Sequence, residues 1–95
     1  MSAYILVKAH ITDWELYQDY MSVSPGVVAQ YDGRFIARGG EVVTLEGPEV
    51  TERVVLLEFP TLSRAKEFYH SHEYKEIMKL RTGAATAQFI AFEGI

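Results

Sequence analysis

Arg38 stands directly before Gly39-Gly40 in a β-rich run, and Glu58 lies near the end of the next β-rich run. Adjacent glycines let a backbone take left-handed or bulged conformations that a Cβ resists. A guanidinium at that point is either a positioned ligand-binding group or the end of an ordinary hairpin. If the runs on either side of Gly47-Pro48-Glu49 pair as a hairpin closed near Gly47 to Thr51, Arg38 and Glu58 fall roughly opposite each other. Such a pair can hold a ligand carboxylate or satisfy itself. Tyr69, Ser71, Tyr74 and Arg81 form a second group, in which phenols, a hydroxyl and a guanidinium could orient a small anionic or carbonyl-bearing ligand. The bland reading stands beside it: Ser71 as a helix N-cap, Tyr69 and Tyr74 as core aromatics whose hydroxyls reach the surface.

Other chemistries find little support. His10, His70 and His72 are the only histidines, and no cysteine accompanies them. His70 and His72 are two apart, which puts them on different faces of a helix. Zinc needs three or four ligands in suitable geometry, so no metal is expected. His10, at the end of the first strand, could act as a base but reads more simply as a strand-end surface residue. Ser63 and Ser71 lack a nucleophile elbow, and Gly39-Gly40 forms no dinucleotide fingerprint. No cofactor is expected.

The elements that must position these groups alternate in type. Tyr4 to His10 is a strand with Ile5, Val7 and Ala9 on one face and Tyr4, Leu6, Lys8 and His10 on the other. Thr12 and Glu15 have capping-box spacing, with Asp13 adding negative charge at a helix start. Trp14, Tyr17 and Met21 recur at helical spacing, with Tyr20 alongside. Pro25-Gly26 should break or kink this helix, leaving a short second piece through Val27, Val28 and Tyr31 that Asp32-Gly33 closes, with glycine in the left-handed cap. Arg34 to Arg38 is the second strand, expected to continue past the glycines as Val42 to Glu46. Arg53 to Phe59 is the third, apolar on both faces at its centre, and so must be covered on both. Thr61 caps a helix with Leu62, Ala65, Phe68 and Tyr69 on its buried stripe. Ser71 caps another, and Ala84 to Glu93 is the last strand.

Strand, helix, strand, strand, helix, strand within 95 residues predicts an α+β, ferredoxin-like sandwich occupying residues 1–95 as one domain. The sheet is antiparallel with helices on one face. A domain this small buries only roughly 60–65% of its unfolded surface. A second copy packed on the uncovered face would explain the two-sided third strand and give a homodimeric α/β barrel. Apolar residues make up 48% of the chain and aromatics 13%, enough for a packed core with aromatics to spare for a pocket or a subunit contact. The net charge is −4 with its cations dispersed, so no nucleic-acid partner is expected. No apolar run reaches membrane-spanning length. The absence of cysteine and of a basic, apolar leader fits a cytoplasmic protein.

An ordered set of motifs runs along almost the whole chain. Gly33 precedes Arg-Phe-Ile-Ala-Arg-Gly-Gly, then come Leu45-Glu46-Gly47, Arg53, Glu58-Phe59-Pro60, Ala65, Phe68-Tyr69, Ser71, Glu73-Tyr74 and Arg81. In this set the chain resembles the family called domain of unknown function 1330. The resemblance implies a ferredoxin-like fold of the dimeric α/β-barrel superfamily, which includes cofactor-independent monooxygenases, lactone isomerases and noncatalytic ligand-binding modules. The family itself carries no settled activity. His72 stands where the family often has proline, so nothing about it is carried over.

Three functional readings follow. The first is binding of a small organic acid or aromatic metabolite in a pocket at the sheet–helix junction, lined by Trp14, Tyr17, Tyr69 and Tyr74, with Arg38 or Arg81 as the positive group. The second is a cofactor-independent isomerase or monooxygenase-like enzyme using a Tyr or His as acid or base. The third is a noncatalytic interaction dimer in which Arg38 and Glu58 specify the subunit contact.

Overall fold

The N-terminal alternation forms strand β1, Ala3–Ile11, with Ala3, Ile5, Val7 and Ala9 buried and Tyr4, Leu6 and Lys8 facing the other way. The computed structural model describes residues 2–95. After β1 come α1 (Trp14–Gln30), β2 (Arg34–Arg38), β3 (Arg53–Phe59), α2 (Leu62–His70), α3 (His72–Met78) and β4 (Ala85–Glu93). The sheet order is β2-β3-β1-β4, and every neighbouring pair is antiparallel. This is the ferredoxin-like arrangement. The helices cover one face of the sheet, where Tyr17, Tyr20, Val28, Ala65, Phe68 and Tyr74 pack on Ile5, Val7, Val55, Leu57 and Phe59. Each large side chain buried this way contributes about 1.5–3 kcal/mol.

Several local expectations are corrected. Helix α1 begins one residue late: Asp13, not Thr12, is the N-cap, its Oδ1 accepting from the Leu16 amide at 3.1 Å. Thr12 is drawn away by the Ala84 carbonyl, which accepts both its amide and its hydroxyl proton at 2.8 and 3.1 Å. Nor does Pro25-Gly26 break the helix, which runs unbroken from Trp14 to Gln30. Proline and glycine cost roughly 3 and 1 kcal/mol in a helix interior. Here Tyr17, Tyr20, Ser24 and Val28 carry one continuous buried stripe across the proline, and tertiary burial overrides the local penalty.

At the end of α1 it is Asp32 that takes the left-handed conformation, with φ of 64°. Gly33 is required for a different reason: a Cβ there would stand inside the Phe59 ring. The stretch Val42 to Glu46 is not a strand. β2 ends at Arg38 opposite Val55, and β3 begins at Arg53, so among the described residues no strand pairs with the later residues. They form a loop whose Val43 and Leu45 face water, Leu45 at 93% exposure. β4 begins at Ala85 rather than Ala84.

Candidate functional site

Two neighbouring strand ends place a guanidinium each on the helix-covered face. In β3 the buried residues Val55, Leu57 and Phe59 alternate back to Arg53, which pairs with Ala9 at the end of β1. In β2 a bulge between Phe35 and Ala37 inserts Ile36 and shifts the register, so Arg38 lies beside Val55. One inserted residue turns every later side chain to the opposite face. Arg38 therefore points to the helices, and because the hairpin sets it opposite Val55, three residues from Glu58, the expected pairing with Glu58 does not form. Glu58 pairs instead with Arg34, which stands directly opposite it and donates through Nε at 2.7 Å. That ion pair holds the Glu58 carboxyl below the usual carboxylate range, the Arg34 hydrogen bond being the main cause.

Each guanidinium is held by its surroundings. Gly39 has φ of 70°, its amide donates to the Val54 carbonyl at 3.1 Å, and its missing Cβ leaves the room the Arg53 side chain occupies. Arg53 lies 5.7 Å from the Trp14 ring, and its Nε is buried with no hydrogen-bond partner among the described residues. Arg38 stacks over the Phe35 ring at 4.4 Å and donates from Nη2 to the Met21 carbonyl at 2.7 Å. Both arginines line a cavity of about 30 Å³ between α1 and the sheet, together with Tyr17, Tyr20, Ser24 and Phe89. Arg81 stands behind Tyr20, 5.0 Å from the Phe89 ring, and its Nε donates to the Tyr74 hydroxyl at 3.4 Å. Among the described residues, none of Arg38, Arg53 and Arg81 makes a salt bridge.

Tyr17 is the point on which these charges converge. Burial pushes its phenol up, and the fields of Arg53, Arg81 and Arg38 oppose that rise. Next to it, the Tyr20 and Tyr74 hydroxyls share a hydrogen bond of 2.7 Å. Burial drives Tyr20 far above the ordinary tyrosine range, with Tyr74 adding to the rise, and burial also raises Tyr74. Folded-state values above those of the unfolded chain stabilise the fold fully below pH ~10, where unfolded tyrosines are still protonated. That contribution is lost as pH climbs further, by about 1.4 kcal/mol per pH unit for each phenol. Alkaline titration is therefore expected to show the phenolate absorbance of these tyrosines rising together with loss of the circular dichroism signal. Phenolates that form smoothly near pH ~10 in a folded protein would remove the buried pair.

The remaining candidates separate. Tyr74 is fully buried, so its hydroxyl meets Tyr20 and does not reach the surface. Ser71 is the N-cap of α3, accepting from the Tyr74 amide at 3.0 Å and donating to the Phe68 carbonyl at 2.7 Å. Tyr69 lines a different groove, about 210 Å³, between α2 and β4 with Lys66 and His70. Trp14 is half exposed and touches Tyr17 edge-on at 6.0 Å. Of the sequence candidates, Tyr17 and Arg38 line the cavity, Tyr74 and Arg81 back it through Tyr20, and Trp14 flanks Arg53. Arg53 and Tyr20 were not singled out, although alternation through Arg53, Val55, Leu57 and Phe59 marks Arg53 as the cation on the buried face of β3.

Among solved structures the chain is similar to the RPA0582 protein of unknown function from Rhodopseudomonas palustris, at 21% identity over 99% of this chain and 82% of that one, with a TM-score of 0.77. It is similar to SnoaB, a cofactor-independent oxygenase from Streptomyces nogalater, at 7% identity over 99% and 93% of the two chains, with a TM-score of 0.70. It is also similar to a dimeric protein of unknown function and ferredoxin-like fold from Bacteroides fragilis, at 15% identity over 98% and 96%, with a TM-score of 0.65. At these identities the likeness is one of fold. No curated protein matches the chain. The motif order read along the chain is matched over residues 2–95 by the model of the domain of unknown function DUF1330, and the protein belongs to that family.

Proposed function

We propose that this protein binds a small organic acid, with the acid group held at the cavity between α1 and the sheet. The observation that carries this reading is the orphaned, buried Nε of Arg53, in a cavity it shares with Arg38 and that Arg81 backs through Tyr20, none of the three having an acidic partner among the described residues. In a chain of net charge −4, acids are plentiful, yet among the described residues none pairs with these arginines. A buried donor without an acceptor costs about 1–3 kcal/mol, and a ligand carboxylate supplies the missing acceptor. The cavity, about 30 Å³, has the size of the acid group and not of an aromatic ring.

Titration with benzoate, using neutral benzamide of the same shape as control, tests the reading. Benzoate is expected to raise the melting temperature and benzamide to leave it unmoved, since ligand binding stabilises by about 2.7 kcal/mol at a hundredfold excess over Kd. Equal responses to the two, or none to benzoate, would reject the carboxylate site.

A second reading, cofactor-independent chemistry on the same ligand, has one specific support. Tyr20 lines the cavity, and its hydroxyl continues through Tyr74 to Arg81 as a hydrogen-bonded chain. SnoaB, of similar fold, is a cofactor-independent oxygenase. With these phenols held protonated by burial, they would serve as hydrogen-bond donors to a developing oxyanion and not as bases. The working unit in either reading is a homodimer formed through the face of the sheet that the helices leave bare. Leu6, Leu56 and Ile90 lie there, and a solved structure of similar fold is dimeric.

A further inference from the structure

We infer that Pro25 is a positioning residue of the proposed acid site, acting through Arg38; the inference rests on that reading of the cavity. In a regular helix the amide of residue 25 would donate to the carbonyl of residue 21. Proline has no such donor. The Met21 carbonyl is thereby released from the helix, and Arg38 Nη2 takes it at 2.7 Å from across the cavity mouth. Ser24-Pro25-Gly26 is a run of poor helix formers at the middle of a helix that nonetheless stays intact. A local rule broken without local benefit points to a role elsewhere.

The effect falls on a side chain that needs help. Arg38 is exposed, at the end of a five-residue edge strand. Left free, its long chain would be ordered only when an anion arrived, and that ordering would weaken binding. The Met21 carbonyl on one side and the Phe35 ring at 4.4 Å on the other fix the guanidinium plane in advance. One N–H is used, and the fork geometry leaves the others for a second acceptor. Arg38 and Arg53 line the same cavity, so a carboxylate entering it can meet both. Alanine at position 25 would return an amide donor to the Met21 carbonyl and loosen Arg38 without deleting a single atom of it.

Pro25→Ala, Arg38→Gln and the double variant test this. In the ligand-free wild type, side-chain nitrogen NMR is expected to show slow rotation and distinct Nη protons for Arg38, and Pro25→Ala to average them. Benzoate affinity is expected to fall about five- to tenfold in Pro25→Ala. The double variant should bind no more weakly than Arg38→Gln alone, because both changes remove the same device. The urea midpoint of Pro25→Ala is expected to rise, the opposite of what loss of a purely structural residue would do. An unchanged Arg38 signal, or affinity losses that multiply, overturns the role of Pro25 while leaving the acid site standing. A wild type blind to benzoate overturns the acid site, and the ligand-free NMR comparison still decides whether Pro25 pins Arg38.

Discussion

Replacing Arg53 by methionine is expected to raise the melting temperature of the unliganded protein and to abolish its response to benzoate. Methionine keeps most of the aliphatic length and removes the guanidinium, which is the part that fills the room beside Gly39. The buried Nε without a partner disappears with it, relieving a cost of about 1–3 kcal/mol. Against this stands the lost contact with the Trp14 ring at 5.7 Å, worth about 0.5–1 kcal/mol at an exposed site. The balance favours the variant by about 1 kcal/mol, which moves the melting point by roughly 4–8 °C in a domain of this size. Removing a charge-assisted contact from the ligand works the other way, by about 1.5–3 kcal/mol or ten- to a hundredfold in affinity. Opposite signs in the two measurements distinguish a binding arginine from a structural one. A variant that melts lower and still binds would show that Arg53 belongs to the scaffold.

How much of this could be read from the chain differs by level. The element order, the faces of β1 and the two-sided apolar centre of β3 follow from alternation alone, because a period of two fixes which side chains share a face. The caps at Thr61 and Ser71 follow from side-chain chemistry. What failed was register. The hairpin pairs Arg38 with Val55, three residues short of Glu58, and Glu58 falls to Arg34; a single bulged residue at Ile36 then turns Arg38 to the helix side, and nothing in Arg-Phe-Ile-Ala-Arg announces a bulge. Pro25 failed for the reverse reason: its local penalty is legible, while the stripe from Tyr17 to Val28 that overrides it becomes decisive only once the sheet is there to pack on. Arg53 was legible and passed over, because a cation at a strand's first residue reads as a surface group until its partners on the same face are counted.

The largest expected effect lies on the other side of the sheet. Ala37, Leu56, Leu6 and Ile90 form one apolar row that crosses all the strands, β2, β3, β1 and β4 in turn. Beside it Tyr4 meets Phe92 at 5.7 Å, and the 42–50 loop adds Val42, Val43 and Leu45 around a trough of about 530 Å³. An uncovered apolar face of this kind is characteristic of an association surface. In a two-fold dimer the row packs against itself, so each substitution counts twice. Leu56→Lys would place two ammonium groups in the middle of that contact, where a buried, unpaired charge costs several kcal/mol each. Sedimentation is therefore expected to find the wild type dimeric and Leu56→Lys monomeric, with circular dichroism unchanged because Leu56 points away from the core. Leu57, the next residue, faces the helices and is 3% exposed; Leu57→Ala should instead lower stability by about 2–5 kcal/mol. A monomeric wild type, or a Leu56→Lys variant that stays dimeric, would show that the bare face of the sheet is not the subunit contact.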